Sequence, residues 1–223
     1  MAPTESEIRT LLATQSYSAS SLPQLEAYLA AQTSGDAPYM FDAVRTLVKL
    51  YQFFPEKSNE KNVGHCCMLA LLNYPSTDLL ALSYLIPLAT FKLEPFATIQ
   101  KCSEQLDSSE FIEFWKTFAL LQKSDDAAIK GMAAKHVGKL QSSILSTLAL
   151  SYKEAPASVV LTSLNITKID AITALKNPTV ESISSDSKMV VFVASQDNTK
   201  RKRVYQEGVN FTAISSLMAK MSQ

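Results

Sequence analysis

Glycine is scarce here. Only five of the 223 residues are glycine, and neither GxGxxG nor GxxxxGK[ST] occurs. Phosphate-cradling turns use glycine where the backbone must approach a ligand, so the shortage argues against a βαβ nucleotide-binding fold. Cysteine is equally sparse. Cys66 and Cys67 are adjacent and Cys102 is distant, which matches neither a disulfide framework nor a metal-ligand spacing and fits a reducing compartment. Net charge is absent as well, since Lys plus Arg and Asp plus Glu each number 21. No general field draws the chain to nucleic acid or to an anionic membrane, and any such contact has to be local. The first residues, Met1 to Glu7, carry two carboxylates and no basic side chain, and no apolar run follows, so a secretory signal is not expected. The longest apolar stretch, Leu79 to Phe91, is interrupted by Ser83, Tyr84 and Pro87. It falls short of the ~20 residues that span a bilayer. The expectation is a soluble cytosolic protein that meets no membrane.

What is present is helical periodicity. At this length folding buries roughly 70% of the unfolded surface, so a core is available. Pro55, Pro75 and Pro95 punctuate the first half at even spacing, which suits short helices that stop and restart. Thr4 with Glu7 forms a capping box for the first helix, and Ser21 with Pro23 opens a second that Gly35 is placed to end. Phe41, Val44, Leu47, Val48, Tyr51 and Phe54 give a third stripe, stopped by Pro55. Val63, Cys67, Ala70, Leu71 and Tyr74 give a fourth. Leu82, Leu85, Ile86 and Ala89 predict a fifth helix bent by Pro87, and Phe96, Ile99 and Leu106 outline a sixth. A seventh, capped by Ser108 or Ser109, carries Phe111, Phe114, Trp115, Phe118 and Leu121, the heaviest aromatic face in the chain. That face belongs at the centre of a core.

After a polar seam at Gln122 to Asp126 the pattern changes. Ile129, Met132, Ala133, Val137, Leu140, Ile144 and Leu148 predict one long helix to about Tyr152, ended by Pro156. Val159 to Leu164 forms a short helix, and Thr167 with Asp170 caps another through Leu175. A β-branched hairpin follows, Val180 to Ile183 and Met189 to Ala194, and an amphipathic helix closes the chain. Many helices followed by helix, helix, hairpin reads as a mainly α chain: a helical-repeat domain over residues 1–123, a small α+β winged-helix domain over 124–204, and a C-terminal linker and helix over 205–223.

No catalytic constellation stands out. His65 lies beside Cys66 and Cys67, but adjacent cysteines on a helix point about 100° apart and do not converge on one ion. His136 falls within the Met132 to Leu140 stripe with no nucleophile or carboxylate in its segment to orient. GxSxG, HExxH and DxDxDG are all missing. In a winged helix the groove-reading helix would run from Lys168 to Lys176, with Ile169, Ile172 and Leu175 facing inward. Its outer set of Lys168, Asp170, Ala171, Thr173, Ala174 and Lys176 is poor at reading base edges. One basic cluster, Lys200, Arg201, Lys202 and Arg203, follows the hairpin. RNA phosphates, an acidic partner surface, a nuclear localisation signal and a solvated loop all remain open for it. The last helix has an apolar stripe of Phe211, Ile214, Leu217, Met218 and Met221, which needs a surface to bury against, either its own domain or, the favoured reading, helices from other subunits.

Several segments together resemble a known family. They are Leu22, Leu25, Glu26, Tyr28 and Gln32; the block Leu47 to Pro55; Asn73 to Asp78; Phe111, Phe114 and Trp115; and Phe211 with Ile214 to Met218. In the same order and along nearly the whole chain, they are similar to the subunit k family of eukaryotic translation initiation factor three. The resemblance implies a HEAT-like helical domain followed by a winged helix, the PCI-type architecture. It also implies a non-catalytic scaffold that takes no cofactor or small-molecule substrate and supports recruitment of the small ribosomal subunit. Its partners would be other subunits of the factor, chiefly subunit l, with the bundle contact carried by Phe211, Ile214, Leu217, Met218 and Met221. PCI-type subunits of the proteasome lid and the signalosome share this architecture and are the alternative. A winged-helix nucleic-acid-binding regulator is a further one.

Overall fold

The helices form where apolar spacing and end signals coincide, and a computed structural model describes residues 3–184, 188–199 and 211–221. Helix α1 (Glu5–Gln15) opens on the expected capping box, with the Thr4 side chain accepting from the Glu7 N–H and the Glu7 carboxylate accepting from the Thr4 N–H. Helix α2 (Leu22–Ser34) carries Pro23 in its first turn and ends at Gly35. Gly35 adopts φ 91°, and its N–H closes on Ala31 and Gln32 carbonyls. Helix α3 (Phe41–Phe53) buries Val44, Leu47, Val48 and Tyr51 and stops before Pro55. Helix α4 (Glu60–Leu71) is capped by Asn59.

Several expectations give way to local chemistry. The fifth stripe does not make a bent helix: α5 (Asp78–Ser83) takes in only Leu82 of it, Leu85 is only partly buried and Ala89 is exposed. Pro87 offers no N–H and disfavours helical backbone at Ile86, so turns closing Leu85 onto Leu82 and Thr90 onto Pro87 replace the helix. Helix α6 (Phe96–Asp107) and helix α7 (Phe111–Leu121) follow. Neither Ser108 nor Ser109 caps α7, whose flanking residue is Glu110, without a side-chain cap. Both serines instead close α6, with N–H groups 2.9 Å from the Glu104 carbonyl and 3.0 Å from that of Leu106. The long helix is divided at His136 into α8 (Ala127–Lys135) and α9 (Val137–Ser151). His136 Nδ1 lies 2.9 Å from the Met132 carbonyl oxygen, which also accepts the His136 backbone N–H at 3.1 Å. Two groups share one acceptor, and the backbone leaves helical geometry there at φ −102°, ψ 9°.

Pro156 does more than end a segment. Residues Glu154–Pro156 form a strand, β1, that sequence periodicity did not signal. Helix α10 (Ala157–Leu164) and helix α11 (Asp170–Ala174) come next. Thr167 does not cap α11, which starts after Ile169 with no side-chain cap, but Ile172 is buried and Ile169 and Leu175 pack against the core as expected. The hairpin is β2 (Val180–Ile183) and β3 (Met189–Phe192), two residues shorter at its end than expected. The sheet order is β1-β3-β2, antiparallel throughout, with Ala155 opposite Val190. Helix α12 (Phe211–Met221) completes the described residues. Buried apolar side chains form one contiguous cluster from Ile8 to Phe192. Within it Phe114 lies 5.1 Å from Trp115 and 5.3 Å from Phe118, ring centre to ring centre. The α7 aromatic face therefore sits in the core, as its composition requires. The architecture is mainly helical with one small antiparallel sheet.

Candidate interaction surfaces

Helix α12 presents the apolar side chains that its spacing aligns. Phe211 is 80% exposed, Ile214 42%, Met218 66% and Met221 79%. Steps of three and four residues put these on one face, and the helix carries Lys220 as its only charged side chain. The four side chains thus form one aligned apolar stripe open to water. The Leu217 side chain and the cluster Lys200 to Arg203 lie outside the described residues.

A second apolar surface was not legible in the sequence. The β1–β3 register pairs Glu154 with Val191, and the Phe192 N–H reaches the Lys153 carbonyl at 2.8 Å. Carried onward, the same register sets Tyr152 against Val193, and both are exposed, as is Leu150 in the last turn of α9. Three residues are too few to show alternation, so periodicity does not signal β1 or the surface beside it.

Polar side chains tie α7 to α10 and α9 to its neighbours. Trp115 Nε1 donates to the Ser163 carbonyl at 2.8 Å in a buried site, and Gln141 Nε2 donates to the Leu164 carbonyl at 3.0 Å. Buried Asn177 donates to the Ser142 carbonyl at 2.8 Å and to Ser146 Oγ at 3.0 Å, while its own carbonyl oxygen accepts from the Thr179 N–H and hydroxyl. Because a buried polar group without partners is costly, these bonds hold the start of β2 against α9 in one arrangement.

The titratable groups are placed for structure. Cys66, Cys67 and Cys102 are free thiols buried in the core. Burial pushes Cys66 well above the ordinary thiol range and raises Cys67 and Cys102 to about 12. A nucleophilic or metal-binding thiolate needs the opposite shift. His65 has a partner that sequence spacing did not reveal, with Nε2 3.1 Å from Asp126 Oδ2, a pairing that joins α4 to α8. Asp126 also accepts the Ala128 and Ile129 N–H groups as the cap of α8. Burial works against its charge, yet the bonds from His65, Ile129 and Ala128 hold its carboxyl below the usual range. His136 contacts the Met132 carbonyl. Among the described residues, no group of three or more His, Cys, Asp or Glu side chains is placed to hold a metal ion, and no helix is long and apolar enough to cross a membrane.

No protein-family model matches the chain. Individual relatives do. A Dictyostelium discoideum protein named eukaryotic translation initiation factor 3 subunit K is 37% identical over 108 residues, 48% of this chain and 43% of that protein. Proteins of the same name from Drosophila willistoni and Homo sapiens are 26% and 23% identical, each match covering 91% of this chain and 88% and 89% of the relatives. Over 91% of its length the chain is thus similar to proteins named eukaryotic translation initiation factor 3 subunit K, as its own segments suggested.

Proposed function

We propose that this chain is a non-catalytic scaffold subunit of eukaryotic translation initiation factor 3 that assembles with other subunits, chiefly subunit l, and supports recruitment of the small ribosomal subunit. The observation that carries this reading is α12, whose Phe211, Ile214, Met218 and Met221 lie open to water. Each such side chain is worth about 1.5–3 kcal/mol when fully buried, before the costs of association are subtracted. With Leu217, these residues form the contact to a bundle of helices from sister subunits. Thiols held protonated and a histidine paired only to a helix cap favour assembly over chemistry. The order β1, α10, α11, β2, β3 supports reading residues 124–204 as a winged helix, 1–123 as a HEAT-like helical domain and 205–223 as linker and docking helix, a PCI-type arrangement. Lys200, Arg201, Lys202 and Arg203 are assigned to RNA or to an acidic partner surface. The site of action is the cytoplasm.

The test compares the intact chain with one truncated before Phe211 in co-purification with initiation factor 3 and the small ribosomal subunit. The truncated chain should be recovered in the assembly at greatly reduced levels while its isolated fold keeps its helical content. Undiminished recovery would overturn the docking role of α12.

A further inference from the structure

Helices α1 and α3 enclose a groove of about 400 Å³, a volume within the range of ligand clefts. Arg9 lines it from α1, and Arg45 and Lys49 line it from α3. Arg45, Lys49 and Phe53 follow one another at intervals of four residues. They therefore form a single ridge with steps of about 6 Å. Two of the cations have exposed partners: Arg9 meets Glu5 at 2.7 Å and Arg45 meets Asp42 at 2.8 Å. Exposed pairs of this kind are weak and exchange readily. Arg45 also lies over the Phe41 ring at 5.6 Å. Lys49 differs from both: it is half-buried in the groove and meets no carboxylate or hydrogen-bond acceptor among the described residues.

At the far end of the ridge stand two rings. Tyr17 and Phe53 are 66% and 60% exposed, and they touch each other edge to face with centres 6.1 Å apart. A row of cations ending in open aromatic rings is the combination that holds single strands, the cations following phosphates while a base stacks on a ring. An acidic polypeptide would meet the cations as well, but it has no flat heterocycle to lie on Tyr17 or Phe53.

We infer that the α1–α3 groove binds a short single-stranded nucleic-acid segment, with Lys49, Arg45 and Arg9 on successive phosphates and a base stacked at Tyr17 and Phe53. Glu5 and Asp42 give up their arginines to the incoming phosphates and keep the affinity modest. The site shares no residue with α12 or with the basic sequence after the hairpin, so its failure and the failure of the assembly role are distinguishable.

The test titrates the full chain into a fluorescein-labelled unstructured RNA of about twelve nucleotides and follows anisotropy. Two or three phosphate contacts on a single strand predict an affinity that falls about seven- to eighteenfold between about 50 and 200 mM salt. Lys49→Glu, and separately Lys49→Gln, should weaken binding and flatten that salt dependence. Tyr17→Ala combined with Phe53→Ala should weaken binding about tenfold or more from lost stacking and leave the salt dependence in place. Replacing Lys200 to Arg203 with alanine should leave the effects of the groove variants intact. Circular dichroism confirms that each variant is folded. Wild-type affinity in both Lys49 variants overturns the inference, as does binding lost only on neutralising Lys200 to Arg203. A polyglutamate peptide that occupies the groove where RNA does not would overturn it equally.

Discussion

Trp115→Phe is the sharpest probe of how the two halves of the chain hold together. The indole is buried against Phe114 and Phe118, and its Nε1 donates to the Ser163 carbonyl at 2.8 Å, across from α7 to α10. Phenylalanine keeps most of the ring packing but removes the donor, leaving the Ser163 oxygen in a dry site with no replacement. An orphaned buried acceptor costs about 1–3 kcal/mol. The lost part of the indole adds a cavity term of about 1 kcal/mol, for a total near 2–4 kcal/mol. Against a typical stability of about 5–15 kcal/mol, that is a large fraction. In urea, with a slope of about 2–3 kcal/mol per molar, the midpoint should fall by about 1 M. The measurement has to follow helix ellipticity, because Trp115 is the only tryptophan and its fluorescence disappears with it. An unchanged slope with a lowered midpoint is the expected signature. A midpoint within about 0.2 M of wild type, corresponding to roughly 0.5 kcal/mol, would refute the claim that this bond secures α10 to α7.

Three further outcomes follow from single positions. Gly35→Ala places a Cβ at φ 91° and should destabilise by about 1 kcal/mol or more, read as a lowered melting temperature; an unchanged melt would mean the α2 terminus relaxes freely. Asp126 has a lowered folded-state pKa, so its contribution is present above its unfolded value near 4 and is lost as pH falls through the folded value. Asp126→Asn should therefore reduce stability at pH 7 and flatten the acid limb of the stability curve. Identical acid limbs in the two proteins would count against the His65–Asp126 pairing. Native protein should resist a thiol reagent at neutral pH, since all three cysteines are buried and the thiols of Cys67 and Cys102 are raised to about 12. All three should label in denaturant, and rapid labelling of the native chain would show that the core opens.

Helix existence was legible wherever a stripe and an end signal agreed, as at Thr4 with Glu7 or at Gly35. It failed where one residue had two uses. The serines before α7 look like caps for the following helix, but the turn out of α6 puts Ser109 at a left-handed φ of 59° and leaves Glu110, which makes no cap bond, at the start of α7. The break at His136 depends on a ring nitrogen reaching a carbonyl one turn earlier, which periodicity does not encode, so α8 and α9 read as one helix. The apolar stripe of α12 was visible because spacing alone defines it. The Tyr152–Val193 surface was not, because it exists only once β1 pairs with a strand more than thirty residues away. The α1–α3 groove was hidden for a similar reason: Tyr17 lies in the turn after α1 and Lys49 on α3, and only packing makes them neighbours.

The strand order β1-β3-β2 has a consequence for biosynthesis. Both outer strands bond to β3 alone, so a polypeptide that stops short of Met189 has no sheet of any kind, whatever its other segments have achieved. Val190 and Phe192, both fully enclosed in the finished molecule, are then missing from the core they share with Val160 and Leu164 of α10. Until those few residues leave the ribosome, the nascent chain offers an oily gap to chaperones, and the last short strand is the piece that shuts it.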